Sequence, residues 1–242
     1  MHSCLSPCAD SDMTPANIAG MCYLSKLDIA ALTDHNSVKN CPAFFKAAAN
    51  YGIVPVAGME LTTAEDIHMV CLFEDLQTAF AFEEKIDPYR LKIKNNTSVY
   101  NEQRVMDEED NVIEVVENFL SPSILLPIED AYEIAVNMGG VCYPAHVDRE
   151  SNSAIAILGD IPQDIPFDCV EFANPENIEG FSEKYPSLRD KRKIVGSDAH
   201  ALVMIRDRKS YFELDGKDEE EIRKNLFEVL RKSGSENEGI IT

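Results

Sequence analysis

Short unbroken apolar runs alternate along this chain with longer segments in which apolar residues recur every three or four positions. The first rhythm belongs to buried strands, the second to helices with one face in a core. Thr14-Pro15 opens a predicted helix, a hydroxyl N-cap followed by proline at the first helical position, that runs to about Leu27. Residues 28–32 form a buried run that stops at Thr33-Asp34-His35, and a helix from about Pro42 to Tyr51 follows, closed by Gly52. Residues 53–58 lead likewise to Glu60. Residues 67–73 predict another strand, but here His68 stands at the beginning and not at the end. Pro127 to Met138 predicts a helix closed by Gly139-Gly140, after which residues 141–144 deliver His146. Residues 169–173 and 193–196 are two more strand runs, the latter delivering Asp198 and His200. Residues 210–214 predict a last strand before a helix over about Asp218 to Lys232, with Gly234 beyond it.

Repeated strand-then-helix units predict an α/β fold with a parallel sheet and helices outside it, and seven or so of them a closed or nearly closed barrel in one domain over residues 1–242. In such barrels the chemistry gathers where strands end. His35, Glu60, His146 and Asp198 with His200 all follow directly from strand runs. Residues 95–123 fit the alternation least well, being acidic around 107–111 and without a helical stripe, and are predicted to form an inserted hairpin or lid. The tail, 235–242, is predicted to fray.

Charge narrows the partners. With 43 acidic against 22 basic residues, the net charge of −21 opposes the phosphate attraction that drives nucleic-acid binding, so double-stranded nucleic acid is excluded as a partner at this stage. Most of the acidity is assigned to solvated surface. The seven cysteines are odd in number and sit mainly in apolar runs, as reduced small hydrophobes do. Cys4 and Cys8 flank a turn, but no second cysteine pair completes a zinc site. No signal peptide is visible, and no apolar run approaches the roughly 20 residues of a membrane span, so a cytoplasmic location without a membrane partner is expected. The oligomeric state is left open.

The five histidines carry the chemistry. Each stands beside a carboxylate or at the end of an apolar run: His2, Asp34-His35, His68 after Glu60, His146, and Asp198-Ala199-His200. A multi-metal site needs imidazole nitrogens and carboxylates converging from separate strand ends, and a metallohydrolase follows.

In order, the chain presents His2-Ser3, Thr33-Asp34-His35-Asn36, Gly58-Met59-Glu60, a lone His68, Ala145-His146 and Gly196-Ser197-Asp198-Ala199-His200. This ordered set resembles the polymerase and histidinol phosphatase (PHP) family of metal-dependent phosphoesterases, over nearly the whole stretch from His2 to His200. The resemblance implies a distorted TIM-like barrel of seven strand-helix units. The family's first motif is His-x-His, and Met1 stands at its middle position, so a first histidine and most of a first strand are expected upstream of a start placed too late or a truncation.

The resemblance also implies up to three divalent metals, manganese, iron or zinc. His2, Glu60 and Asp198 would hold the first, Glu60, His68 and His146 the second, and Asp10, His35 and His200 the third, with Asp12 competing for the place of Asp10. A glutamate can bridge two ions, and a water they share ionises near neutral pH to become the nucleophile. Glu60 and Asp198 are thus assigned to catalysis. Arg149, three residues after His146, is assigned as a phosphate clamp, against a surface ion pair with Asp148 or Glu150. Asp34 and Asn36 are expected to orient ligands or cap a helix. The function implied is hydrolysis of a small phosphomonoester such as a nucleotide or sugar phosphate. The alternatives are a 3′-5′ exonuclease-like phosphodiesterase on short oligonucleotides and a non-catalytic metal-binding module.

Overall fold

A computed structural model describes residues 1–205 and 211–234. In chain order the regular elements are α1 (Pro15–Leu24), β1 (Ile29–His35), α2 (Cys41–Ala49), β2 (Val54–Thr62), β3 (His68–Phe73), α3 (Leu76–Ile86), β4 (Arg104–Met106), β5 (Val112–Val115), α4 (Ile128–Asn137), β6 (Val141–Pro144), α5 (Ala154–Leu158), β7 (Cys169–Phe172), α6 (Ile178–Lys184), β8 (Arg192–Val195) and α7 (Glu219–Leu230). The helix starts follow local chemistry. Thr14 accepts from the Asn17 amide ahead of Pro15, Asp75 caps α3 through Thr78, and Asp218 caps α7 through Glu221. Helix α3 was not anticipated from sequence.

The central sheet runs β1-β2-β3-β6, and a separate parallel pair joins β7 to β8. Two sequence expectations need correction here. The sheet is mixed, not parallel: β1 and β2 run together, whereas β3 opposes both β2 and β6. The cause is the five-residue connection 63–67, closed by Thr63 and Ile67 backbone groups with Asp66 at φ 66°, which is too short for a crossover and makes a hairpin. And no sheet closes among the described residues. The β6–β7 junction is bridged by the Val147 amide on the Glu171 carbonyl, but β8 and β1 do not pair. Between them lies a cavity of about 820 Å³ lined by Ile29, Ala31, Val70, Tyr143, Ile194 and Gly196, reaching Glu60 and Asp198. Of the predicted strand 210–214, residues 211–214 hold no regular structure and Ser210 lies outside the described residues, as does the tail 235–242.

Strand β2 is buried along its whole length because both faces are covered. Its outward face, with Ala57, Met59 and Leu61, packs into the main core beside Ile18, Phe44 and Phe82 from α1, α2 and α3. Its inward face carries Val56 into a second cluster with Val70, Tyr143, Cys169 and, from α7, Leu226, Phe227 and Leu230. Gly58 has a steric reason: a Cβ there would stand 2.7 Å from both the Cys71 carbonyl and the Leu72 side chain of β3.

Residues 95–123 contain the β4–β5 hairpin, which joins to the segment before it through an isolated bridge between Lys94 and Asn118. All seven cysteines are free. Among the described residues no helix is long and apolar enough to cross a membrane.

Candidate metal centre

Parallel strands β1, β2 and β6 end at the same side of the sheet, and the antiparallel β3 begins there. That geometry brings His35, Glu60, His146 and His68 together, and it explains why His68 alone precedes its strand. The loop after β8 adds Asp198 and His200, and the segment before α1 adds His2. His2 is pinned on both sides: its amide donates to the Ala199 carbonyl at 2.9 Å, and the neighbouring Met1 carbonyl accepts from the Thr33 amide at 2.9 Å.

Glu60 is the hub. Its Oε2 lies 3.2 Å from His2 Nε2, 3.4 Å from His35 Nδ1 and 3.3 Å from His68 Nδ1, while Oε1 lies 3.3 Å from His146 Nε2. Asp198 Oδ1 stands 3.0 Å from His2 Nε2 and 3.7 Å from His200 Nδ1. His68 Nδ1 and His146 Nε2 face each other at 3.1 Å, and the rings of His2 and His200 stack at 4.2 Å. Among the described residues three donor sets have all ligand atoms within 4.8 Å of one another: His2, His35 and His200; His35, Glu60 and His68; and His2, Glu60 and Asp198.

Of the eight ligands anticipated, seven converge. Asp10 is the exception. It is exposed and is tied to the cluster only by its amide, which donates to the His200 carbonyl at 2.8 Å. In the set with His35 and His200, His2 stands where Asp10 was expected. Arg149 pairs through Nη1 with Asp198, not with Asp148 or Glu150, while Asp148 accepts from the Ala173 and Asn174 amides.

The electrostatics of so many ionisable groups in one buried place are strongly divided. Burial works to lower His2, but its hydrogen bonds to Asp198 and Glu60 push it up to about 9. Burial also opposes ionisation of Glu60, yet the surrounding histidines, His68 first, hold its carboxyl well below the usual range. Asp198 is lowered in the same way, chiefly by His2. His35 and His200 are lowered by burial and by the neighbouring His2.

The donor set fits divalent cations on direct observation. His35 Nδ1 and Glu60 Oε2, both at the cluster, are buried without a hydrogen-bond partner of good geometry. Such groups ordinarily cost about 1–3 kcal/mol each when unsatisfied, and a lone pair aimed at a cation removes that cost. Mixed imidazole and carboxylate donors suit manganese, iron or zinc alike.

Backbone conformation at the site is unusual as well. Asn36, His146 and Asp198 all hold positive φ, at 50°, 31° and 43°. Non-glycine residues there cost on the order of 1 kcal/mol or more, which the surrounding hydrogen bonds must offset. Asn36 shows how. Its Oδ1 accepts from the Thr62 amide, its Nδ2 donates to the Leu120 and Pro122 carbonyls, and its own amide donates to the Glu60 carbonyl. It is therefore a brace between β1, β2 and the 95–123 segment, not a helix cap.

Three supporting residues, Ser3, Ser6 and Glu171, were not read from the sequence. Asp34 accepts from the Ser3 amide, the Ser3 hydroxyl and the Ser6 hydroxyl at 2.7, 2.6 and 2.7 Å, and Ser6 Oγ lies 3.1 Å from His2 Nδ1. Ser3 and Ser6 carried no sequence signal beyond their nearness to His2. Glu171, on β7, is buried beside Gly196, where a Cβ would strike its carboxylate. Burial, with the Asp198 and Glu60 charges, raises it to about 7 even though His146 pulls the other way.

The family model for the PHP domain matches residues 1–138. No curated protein sequence matches the chain significantly. Among solved structures, the lesion-specific endonuclease PfuEndoQ of Pyrococcus furiosus is similar over 95% of this chain and 55% of its own, with TM-score 0.64 and 19% identity. An Endonuclease Q complex with a 27-mer duplex carrying an abasic lesion at the active site is similar over 94% of this chain and 55% of its own, with TM-score 0.66 and 19% identity. A protein assigned as a metal-dependent phosphoesterase from Bifidobacterium adolescentis is similar over 93% of both chains, with TM-score 0.57 and 15% identity. At such identities the likeness concerns the fold, and the chain spans about half the length of the two endonuclease chains. It nevertheless corrects the partner assignment drawn from charge. A net charge of −21 is a sum over the whole chain, whereas phosphate contact depends on the local field. That endonuclease, whose likeness covers 94% of this chain, binds a duplex, so neither the exclusion of a duplex nor the restriction to a small phosphorylated partner stands.

Proposed function

As the chain belongs to the PHP-domain family, we propose that it is a metal-dependent phosphoesterase and that its substrate is a phosphodiester within nucleic acid. The observation that carries the hydrolytic part is the cluster itself, five imidazoles and the Asp198 carboxylate gathered around Glu60. Likeness to endonuclease structures over 94–95% of this chain supports the nucleic-acid part.

His2, Glu60 and Asp198 would hold one cation and His68 and His146 with Glu60 a second, which leaves His35 and His200 to hold a third. Bound there, divalent cations supply Lewis-acid polarisation of phosphoryl oxygens and lower the pKa of water to near neutral. The protein's part is to keep the donors fixed. Glu60 presents Oε2 to His2, His35 and His68 and Oε1 to His146, and Ser6, held by Asp34, fixes the His2 ring. Arg149 is about 40% exposed at its side chain, with one edge occupied by Asp198. Its partly exposed guanidinium would clamp the non-bridging oxygens of an incoming phosphate.

The test is hydrolysis by protein reconstituted with manganese, zinc or iron, on a short single strand, a duplex with an abasic site, and a panel of mononucleotides. Cleavage of an oligonucleotide, lost in Glu60→Gln, is the expected result. Release of inorganic phosphate from mononucleotides alone would move the substrate to phosphomonoesters. Full metal uptake with no hydrolysis of any phosphate ester would leave a metal-binding module.

A further inference from the structure

The segment from 85 to 104 runs against the charge of the rest of the molecule: it holds five basic residues, Lys85, Arg90, Lys92, Lys94 and Arg104, against two acidic ones, Asp87 and Glu102, in a chain of net charge −21. Its middle, from Lys92 to Asn101, is a strap exposed at every position but Asn95. The strap is nonetheless held firmly. The Asn95 amide donates to the Glu117 carbonyl and the Phe119 amide to the Ile93 carbonyl, so the strap pairs as a ribbon with the chain that returns from β5.

Its two ends are fastened to the metal centre's own supports. At one end Arg90 pairs with Glu83 and donates to the carbonyl of Asn36, the residue after His35. At the other, Asn101 donates through its amide and through Nδ2 to the carbonyls of Pro7 and Ala9 at 3.2 and 2.8 Å, and the next residue, Asp10, is bonded to His200. Counting ~3.8 Å per residue step and one hydrogen bond at each crossing, the strap's end stands no more than about 15 Å from His200.

What the strap displays is also specific. Tyr100 is 43% exposed, with its ring 4.6 Å from that of Phe119 at a 36° tilt, and Val99 is 68% exposed beside it. Lys94 meets Glu117 at 3.3 Å, but both side chains are largely exposed, and such a pair contributes little and yields readily to a phosphate. Lys92 has no ion-pair partner among the described residues. Lysines and an exposed aromatic ring on one strap are the elements that hold single-stranded nucleic acid, phosphates on the lysines and a base on the ring.

Resting on the phosphodiesterase function above, we propose that residues 92–101 form the docking surface for unpaired nucleotides of the strand whose phosphodiester lies at the histidine cluster. Lys92 and Lys94 contact phosphates and Tyr100 stacks on a base. Because the strap is confined to one side of the cluster, it positions the strand and takes no part in the chemistry.

Two measurements on the full, metal-reconstituted chain separate this proposal from the catalytic one. Fluorescence anisotropy with a phosphorothioate oligothymidylate of about 12 nucleotides reads binding, and hydrolysis of bis(p-nitrophenyl) phosphate reads the metal centre. For Lys92→Glu/Lys94→Glu, binding is expected to weaken at least about tenfold, with the salt dependence reduced by about 1.4 in log–log slope for two phosphate contacts. For Tyr100→Ala, a loss of about 5- to 150-fold is expected with the slope unchanged. Hydrolysis of the small diester stays at the wild-type rate in both. Unchanged oligonucleotide affinity in both variants overturns the proposal, as does a wild-type protein that binds no single strand. Equal binding of a fully paired duplex, sensitive to the lysines but not to Tyr100, overturns the unpaired-strand assignment. Failure of the wild type to hydrolyse the small diester, with the strap variants still losing oligonucleotide affinity, sinks the catalytic function and leaves the strap standing.

Discussion

Asp34→Asn changes one oxygen for one NH2 group in a residue that is 1% exposed and touches no substrate, yet it should disturb both the fold and the metal centre. Asp34 Oδ1 accepts from the Ser3 amide and the Ser6 hydroxyl, and Oδ2 accepts from the Ser3 hydroxyl. That hydroxyl already accepts from Asn40 Nδ2 at 2.8 Å and from the Leu5 amide at 3.2 Å. An amide NH2 in place of Oδ2 therefore presents a third donor to Ser3 Oγ and strands its hydrogen. The opposite flip is worse, because NH2 then faces the Ser3 amide and the Ser6 hydroxyl. One charge-assisted bond is lost and one buried hydroxyl left unsatisfied, about 2–3 kcal/mol together. For a chain of this size that lowers Tm by roughly 4–12 °C in metal-free protein, read by scanning calorimetry. Loosening of Ser6 also frees the His2 ring, so metal affinity in an isothermal titration should fall about 10–100-fold, the usual effect of removing an outer support. Ser6→Ala keeps the Ser3–Asp34 bonds and should show the affinity loss with the smaller Tm change. An Asp34→Asn protein whose Tm and metal affinity both match wild type refutes the idea that this network sets the site.

Chelation of the wild-type protein should lower Tm, since a ligand held at 100 times its Kd adds about 2.7 kcal/mol, equivalent to ~5–11 °C here; a Tm indifferent to chelator would separate metal binding from the folded state. Gly58→Ala should cost about 1–3 kcal/mol from overpacking against the Cys71 carbonyl and Leu72, measured by urea denaturation, and an unchanged midpoint would show that β3 can retreat. Glu171 predicts a pH effect in metal-free protein. Its pKa is raised from 4.5 to about 7 in the folded state, so between those values the native protein holds a proton the unfolded chain has lost, and stability falls as pH rises. The slope is at most about 1.4 kcal/mol per pH unit, and Glu171→Gln should flatten it between pH 5 and 7 in denaturation curves; an identical slope in the variant would mean that other groups set the pH dependence.

The candidate site was more legible in the sequence than the fold around it. Histidines and acids at the ends of apolar runs could be named because a strand end is marked by an abrupt change from apolar to polar, and that change is local. His35, Glu60, His146, Asp198 and His200 are all of this kind. Asp10 was misplaced because a short polar loop, Ser11 and Asp12 beside it, offers no periodicity to say which carboxylate turns inward, and the structure turns none of them into the cluster. Strand direction was illegible for a different reason. Apolar run length reports burial, not polarity, and the single clue, His68 at the front of its strand, acquires meaning only when the connection 63–67 is seen to be too short for a crossover. Helix α3 escaped because its apolar face, Ala79, Phe82 and Ile86, is thin and interrupted by Glu83, which is itself buried against Ser37 and Val38. The absence of closure between β8 and β1 rests on pairing between distant strands, which no local pattern encodes.

That one hairpin does much to explain how the centre is assembled. In the β2–β3 register Glu60 lies opposite Val70 and Thr62 opposite His68, so Glu60 and His68 are diagonal neighbours on one face of the sheet. Diagonal pairs are within reach of long side chains, and Glu60 Oε2 does meet His68 Nδ1 at 3.3 Å. Two donors are thus placed by a contact only eight residues apart in sequence, before any distant strand has paired. The neighbouring strands then add one donor each in the same plane: β1 brings His35 directly opposite Glu60, and β6 pairs Pro144 with Met69 and so sets His146 beyond the start of β3. Because side chains alternate between faces, a slip of one residue in any of these registers would turn its donor into the helix-covered core. The tightly packed outward face, with Met59, Leu61, Met69 and Cys71 fully buried, excludes such a slip, so the hydrophobic core on one side of the sheet fixes the chemistry on the other.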